Sequence, residues 1–208
     1  MSRPVLFDND PTSAAGISVI PHDGEVRYYP ALFRAEDGDA VLDALTRTIE
    51  WKQDRIRIYG KEHDVPRLTA WYGDEGVRYG YSGLRMSAKA WTDELLAVKT
   101  RVESVAGIRF NSVLLNLYRN GSDSMGWHAD DEPELGEDPV IASVSFGASR
   151  TFKLRHRVDK TVCAVVLDHG SLLLMKGGTQ HAWEHAVPKT KKVLQPRCNL
   201  TFRVVNVT

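Results

Sequence analysis

Hydrophobic spacing along the chain changes once, from a helical period to a period of two, and that change divides the fold. From Glu36 to Trp51 the apolar residues Val41, Leu42, Leu45 and Ile49 fall at helical spacing behind an acidic first turn, which predicts an amphipathic helix. Lys89 to Ala106 predicts a second, with Trp91, Leu95, Val98, Val102 and Val105 on one side and Gly107 to close it. Beyond Gly107 the pattern is of short, β-branched runs divided by Gly, Pro or Asp: Phe110–Tyr118, Val140–Phe146, Thr151–Arg155, Val162–Leu167, Ser171–Met175 and Asn199–Val207. Earlier, Glu25–Phe33 and Arg55–Tyr59 alternate as strands, and Gly60 opens a polar turn. Aromatics (Trp71, Tyr72, Tyr79, Tyr81) gather next, separated by glycines. Helices first and many short strands afterwards imply a mainly β, α+β chain: a sandwich or jelly roll with two helices packed on one face.

Residues 1–24, punctuated by Pro4, Pro11, Gly16, Pro21 and Gly24, read as a partly mobile surface arm, leaving 25–208 as one domain. A chain of 208 residues is long enough for a core without disulfide staples. Its two cysteines, Cys163 and Cys198, sit in apolar runs and read as buried free thiols. Lys+Arg (27) balances Asp+Glu (27), so no global field announces a nucleic-acid partner, although local basic faces remain open. The N-terminus carries no apolar targeting segment, and no apolar run is long enough for a membrane helix. The expectation is a soluble monomer of a reducing compartment, a bacterial cytoplasm or a eukaryotic nucleus.

Chemistry concentrates at Met125-Gly126-Trp127-His128-Ala129-Asp130-Asp131. On an extended chain, side chains at i and i+2 leave from one face, so His128 and Asp130 can converge on a metal ion. Spacing alone is weak evidence, since an aspartate often does no more than orient a histidine. The run Arg197-Cys198-Asn199-Leu200-Thr201-Phe202-Arg203 adds to it, because every odd position is polar and Leu200 and Phe202 face the other way. Its two arginines lie six residues apart, roughly 20 Å along the backbone at ~3.3 Å per residue. Reaching inward from both ends, they could bracket a short dicarboxylate, since the planar guanidinium fork matches a carboxylate and keeps its charge. Asn116 and Tyr118 share a strand face with Phe110 and Leu114, as the polar end of a lined pocket does. His156, His169, His181 and His185 all lie downstream as third-ligand candidates. His181-Ala182-Trp183-Glu184-His185 also spells an inverted zinc-protease pattern, but Gly177-Gly178 and Pro188 leave little room for the helix that pattern needs.

Taken together these residues resemble the AlkB family of Fe(II)- and 2-oxoglutarate-dependent dioxygenases. The matching stretches are Pro66–Gly73, Asn116–Asn120, Trp127–Pro133, Ala142–Ala148, His185–Pro188 and Pro196–Arg203, and the likeness is strongest to the second and third animal homologues. The resemblance implies a double-stranded β-helix core over about 108–208 and an N-terminal nucleotide-recognition lid over about 52–85. It selects His185 as the third iron ligand beside His128 and Asp130. It assigns 2-oxoglutarate to Asn116, Tyr118, Arg197, Thr201 and Arg203, with Asn199 close by, Arg197 taking the distal carboxylate and Arg203 the one beside the metal. Asp131, Trp71, Tyr79 and Tyr81 match residues that hold a flipped base. Tyr59-Gly60-Lys61 aligns with a hairpin that wedges into duplex.

The implied activity is oxidative removal of alkyl groups from bases such as 1-methyladenine and 3-methylcytosine in DNA, or in RNA. Oxygen is the second cosubstrate, and succinate and formaldehyde are released. Two basic groups, one of Arg55, Arg57, Lys61 and Arg67 and one of Arg150, Lys153, Arg155, Arg157 and Lys160, read as phosphate contacts. An oxygenase acting on a protein or small molecule would need the iron and 2-oxoglutarate residues but not the aromatics. A non-catalytic nucleic-acid-binding module would not need His128.

Overall fold

The structure, a computed structural model, describes residues 15–58, 60–81 and 84–206. In chain order the elements begin β1 (Ile17–Ser18), β2 (Glu25–Tyr29), α1 (Ala35–Thr48), β3 (Arg55–Ile58), β4 (Lys61–Asp64), β5 (Leu68–Gly73), β6 (Arg78–Tyr81), β7 (Leu84–Ser87) and α2 (Asp93–Ala106). There follow β8 (Ser112–Tyr118), β9 (Met125–His128), β10 (Ile141–Gly147), β11 (Arg150–His156), β12 (Val162–Leu167), β13 (Ser171–Lys176), a one-turn α3 (Thr179–Ala182), β14 (Trp183–Val187) and β15 (Arg197–Arg203). A seven-stranded sheet runs β1-β2-β13-β10-β15-β8-β5 and a four-stranded sheet runs β12-β11-β14-β9. Every strand pairing in both is antiparallel. The two sheets face one another as a jelly roll, the double-stranded β-helix.

The large sheet has two buried faces, and its sequence shows why. On β8, Val113, Leu115 and Leu117 join the core under the helices, with Val144, Phe146, Leu200 and Phe202 from the neighbouring strands. Leu45 of α1 and Leu95, Val98 and Val102 of α2 close that layer. The alternate residues Leu114 and Tyr118 turn into the sandwich, where they meet Trp71, Phe152, Leu154, Trp183 and Val187. Such strands read as nearly continuous hydrophobic runs rather than as clean alternation. Any polar residue on the inward face is therefore enclosed.

Several sequence expectations shift at their edges. Helix α2 starts at Asp93 rather than Lys89, because the Thr92 side chain accepts the Leu95 N–H at 3.3 Å and so fixes the N-terminus. Trp91 lies before the helix and packs parallel to Phe202, ring centres 6.4 Å apart. At the other end Gly107 takes φ +73, the left-handed cap the sequence pointed to. Helix α1 stops at Thr48, short of Trp51. Strand β14 was not foreseen; it pairs with both β11 and β9, and without it the small sheet would fall in two. The end of the expected surface arm is docked: β1 pairs with β2, and Ile20 is buried. Within the expected lid, β5 is the edge strand of the large sheet, hydrogen-bonded along β8 from Leu68 to Gly73. Only the hairpins β3–β4 and β6–β7 form separate two-stranded units there.

Candidate metal centre

His128 ends β9, and its direct cross-strand partner is His185 on β14. Cross-strand neighbours bring their side chains together, and the two imidazole centres are 4.2 Å apart. Asp130 follows β9 by two residues, its Oδ1 3.8 Å from His128 Nε2. The ligand atoms of His128, Asp130 and His185 all lie within 4.8 Å of one another. His181, the other histidine of the zinc-protease pattern, sits on α3 and is directed elsewhere, toward the Glu137 carbonyl. The protease pattern thus straddles the end of α3 and the start of β14, and no helix brings its two histidines onto one face.

The surroundings orient the His128 ring and shift the titration of His185 and Asp130 toward what a cation would need. His128 Nδ1 is 2.9 Å from the Gly126 carbonyl, which can only accept, so the proton sits there and Nε2 is free for an ion. Burial pushes His185 down to about 3, helped by the His128 and Arg203 charges against the opposing pull of Asp130. Burial alone would raise Asp130, but Arg203, His185 and His128 outweigh it and hold the carboxyl at about 2. Arg203 donates to Asp130 Oδ2 from Nε and Nη2, at 3.2 and 2.8 Å. The Asp130 main-chain N–H donates to Gln180 Oε1 at 2.9 Å, with Gln180 wholly buried. Two imidazoles and one carboxylate with space opposite make the donor set of non-haem Fe(II) oxygenases, and these residues fit it.

Beside the triad opens a cleft of about 530 Å³ counting its mouth. Its polar wall is the inward face of β15, Arg197, Asn199, Thr201 and Arg203, with Asn116 and Tyr118 from β8. This face is enclosed, with Arg197 1% and Arg203 4% exposed. Arg197 donates from Nη2 to Ser145 Oγ at 2.8 Å, while its Nε and Nη1 are buried without a hydrogen-bond partner. Burial presses its pKa below the ordinary value, and no carboxylate among the described residues forms an ion pair with it. The Tyr118 ring lies 5.2 Å from the Arg197 guanidinium and 5.5 Å from that of Arg150. Asn199 donates to Ser143 Oγ (2.8 Å) and the Val144 carbonyl (2.9 Å), leaving its Oδ1 to accept from Thr201 at 3.1 Å.

The expected nucleic-acid contacts fare differently. Arg67 is 4% exposed and is no phosphate ligand: it donates to Asn116 Oδ1 at 2.7 Å and to the Ser124 carbonyl at 3.3 Å. Arg150 is likewise buried, donating to the carbonyls of Asn120, Asp123 and Pro188. A buried position just before β5 or at the start of β11 overrides the basic character that the sequence shows there. Arg155 pairs with Glu184 at 2.7 Å and lies 4.4 Å over the Trp127 ring, and Arg55 pairs with Asp64 at 3.1 Å. Asp131 is half exposed and accepts from Arg157 at 2.9 Å. Trp71 is buried next to Leu114 without lining the cleft. Gly60 forms the β3–β4 turn with φ +79, Lys61 opens β4, and Tyr79 and Tyr81 lie on β6. Tyr59 lies outside the described residues.

Ser143, Ser145 and Gln180 were not picked out as site residues from sequence, and Arg150 was read only as a phosphate contact. The serines carried a signal, since Ala142-Ser143-Val144-Ser145-Phe146 alternates like β15 opposite. Gln180 carried none.

Two outcomes follow. Arg67→Ala strips donors from Asn116 and the Ser124 carbonyl, and should cost about 2–3 kcal/mol in urea unfolding; the salt dependence of oligonucleotide binding should stay unchanged, and a shallower slope would restore the phosphate role. For the metal-free protein, His185 and Asp130 both have folded pKa values below their unfolded ones, so the unfolded chain binds more protons on acidification. His185 contributes stability that is whole above about 6.5 and lost toward about 3; Asp130 adds loss between about 4 and 2. Urea midpoints should therefore fall as pH drops from 7 to 4, and less steeply in His185→Gln; equal slopes would contradict the assigned environment.

Similarity to known proteins agrees with this geometry. The family described as the 2OG-Fe(II) oxygenase superfamily matches residues 25–203. The chain is 44% identical over 187 residues to the alpha-ketoglutarate-dependent dioxygenase alkB homolog 3 of Homo sapiens, covering 85% of this chain and 65% of that protein. It therefore spans just under two thirds of that relative's length. With the DNA oxidative demethylase ALKBH2 of Homo sapiens it shares 42% identity over 191 residues, covering 86% of this chain and 73% of the other. The solved structure of OsALKBH1 shares the fold at a TM-score of 0.63 and 16% identity, covering 86% of this chain and 97% of that one. With a matched span running from β2 to Arg203 and a His128–Asp130–His185 cluster inside a jelly roll, the chain belongs to the 2OG-Fe(II) oxygenase superfamily and, within it, to the AlkB family.

Proposed function

We propose that the protein removes alkyl groups oxidatively from N-alkylated nucleobases such as 1-methyladenine and 3-methylcytosine, with Fe(II) as resident metal and 2-oxoglutarate and oxygen as cosubstrates. The observation that carries the cosubstrate reading is Arg197. A buried guanidinium with two unpartnered nitrogens and no facing carboxylate is a receptor for an anion. The triad lies in the same cleft, so a dicarboxylate anchored at Arg197 has its other end directed toward the metal residues.

His128, Asp130 and His185 would hold the iron. With its cosubstrates bound, the iron supplies the oxidising power to hydroxylate an alkyl carbon on nitrogen while 2-oxoglutarate becomes succinate and carbon dioxide. Arg197 neutralises the distal carboxylate of 2-oxoglutarate, and Tyr118 and Asn116 line its path. Arg203, which holds Asp130, would also steady the carboxylate of 2-oxoglutarate next to the metal, so that one cation would serve two anions. Leu114, Phe152 and Val187 keep the remaining wall apolar and limit water. The hydroxylated carbon then separates from the base nitrogen as formaldehyde. A methylated, cationic base pairs poorly, so its extrusion costs at most a few kcal/mol. Asp131, half exposed beside the triad, offers such a cation a carboxylate once Arg157 yields it. Trp71, Tyr79 and Tyr81 are proposed for the base, and Gly60 and Lys61, with Tyr59, for the strand. The names of the relatives, an alkB homolog and a DNA oxidative demethylase, support this reading.

The test is anaerobic reconstitution with Fe(II) and 2-oxoglutarate, then oxygen and oligonucleotides carrying either lesion, single- or double-stranded. The oligonucleotide should lose one methylene mass, and His128→Ala should abolish the loss. Succinate released while every oligonucleotide stays intact would move the substrate to a protein or small molecule. Arg197→Ala should raise the KM for 2-oxoglutarate by roughly 10- to 100-fold, the range of one charged hydrogen-bonded contact. An unaltered KM would remove the anchor.

A further inference from the structure

Among the described residues a second group has the donors and proximity of a metal site, and the proposed reaction does not use it. His22, in the segment between β1 and β2, and His156, at the end of β11, both face the carboxylate of Asp23. Asp23 Oδ2 lies 3.0 Å from His22 Nδ1 and 3.2 Å from His156 Nε2. The three ligand atoms fall within 4.8 Å of one another. In a tetrahedral site with bonds of about 2.0–2.1 Å, neighbouring ligand atoms stand about 3.3 Å apart, so the observed pairs are close to ligating separation. The rings meet edge to face at 79° with centres 4.9 Å apart, which turns two different nitrogens toward one point.

The surroundings complete the arrangement. Asp159 reaches the far side of both rings: its Oδ1 is 3.0 Å from His156 Nδ1 and its Oδ2 3.3 Å from His22 Nε2. A carboxylate on the far nitrogen is what orients a metal-ligating histidine, and here one carboxylate does so twice. The Asp159 main-chain N–H is also 3.2 Å from His156 Nδ1, a contact suited to the ion-free tautomer. An ion at Nε2 moves the proton to Nδ1 and hands that contact to the carboxylate. Behind the pair, fully buried Trp183 packs on both imidazoles, at 5.0 Å from His156 and 5.6 Å from His22, and donates from Nε1 to the His22 carbonyl at 3.1 Å. His156 is itself nearly buried while His22 and Asp23 are open, so an ion can enter from solvent and close onto a fixed ligand.

We propose that His22, Asp23 and His156 bind a divalent late first-row metal ion, Zn(II) by donor type, with a water in the fourth position. The site is a clip rather than a reaction centre. It fastens the segment before β2 to the end of β11, so the metal closes a long loop through the small sheet. The inference does not depend on the substrate proposed above.

The test counts zinc on chelator-stripped protein by equilibrium dialysis and elemental mass spectrometry. Because zinc also fits the iron residues, four proteins are compared. Wild type should hold two equivalents, His22→Gln one, His128→Ala one and the double variant none, all with the same circular dichroism. In the His128→Ala background, zinc at hundredfold excess over Kd should raise Tm by roughly 5 °C, and adding His22→Gln or Asp23→Asn should abolish the rise. Asp159→Asn should keep the stoichiometry and weaken affinity roughly tenfold. A His128→Ala protein without zinc, or an equivalent that survives in the double variant, overturns the assignment. Oligonucleotide repair by His22→Gln at the wild-type rate is expected, which separates the clip from the iron centre.

Discussion

A guanidinium enclosed by protein with no carboxylate to face costs on the order of several kcal/mol, and Arg197 is held in that condition. The fold sustains it because β15 is an interior strand of the large sheet, paired along its length with both β10 and β8. Cys198, Leu200 and Phe202 on its other face are locked into the core under the helices. A one-residue slip that freed Arg197 would drive those three into the polar cleft, so the register is fixed by hydrophobic burial and the cation goes where the register puts it. Ser145, Tyr118 and the Arg67-bound Asn116 then shape the space around it without neutralising it. In the proposed function, a bound anion would offset that cost.

The metal residues depend on the same strand. Asp130 is fixed on one side by Arg203, from β15, and on the other by Gln180, from α3. His185 is set by β14, wedged between β11 and β9, with a register shift between it and Val187. The large sheet contributes charge and the small sheet contributes imidazoles, so an ion held by this group would lie at the seam. A sandwich whose sheets moved apart would lose ligand geometry and anion pocket together, since the Arg203–Asp130 pair bridges both.

Much of this was legible because β15 mixes two alphabets. Polar odd positions against apolar even ones mark a strand whose two faces have different tasks, and the resemblance pointed to His185, which the fold brings beside His128 and Asp130. What escaped had physical reasons. Trp183–Val187 is too short and too mixed to show a period, and its strand character comes from two partners distant in sequence. Arg67 and Arg150 look like surface cations in any reading of composition, and only their place in the fold reveals them as buried donors to main-chain carbonyls. The His22–His156 group joins the chain's N-terminal segment to its middle, a proximity that no local spacing encodes.

The pairing of surface charge bears on how a neutral chain can handle a polyanion. Arg55, Arg155 and Arg157 each already hold a carboxylate, so they add little long-range field, and exposed pairs of this kind are worth only about 0–1 kcal/mol. A partner phosphate can therefore displace a carboxylate at small cost, but gains correspondingly little from doing so. Discrimination then has to come from the cleft, where burial magnifies each charge, rather than from attraction to backbone. Arg157 couples the two regimes. While it holds Asp131, that carboxylate is occupied; in the proposed function, a phosphate that drew Arg157 away would release Asp131 beside the triad to meet a cationic base. Backbone contact and base recognition would then be one exchange of ion pairs, and a strand without a lesion would leave the freed carboxylate unmatched.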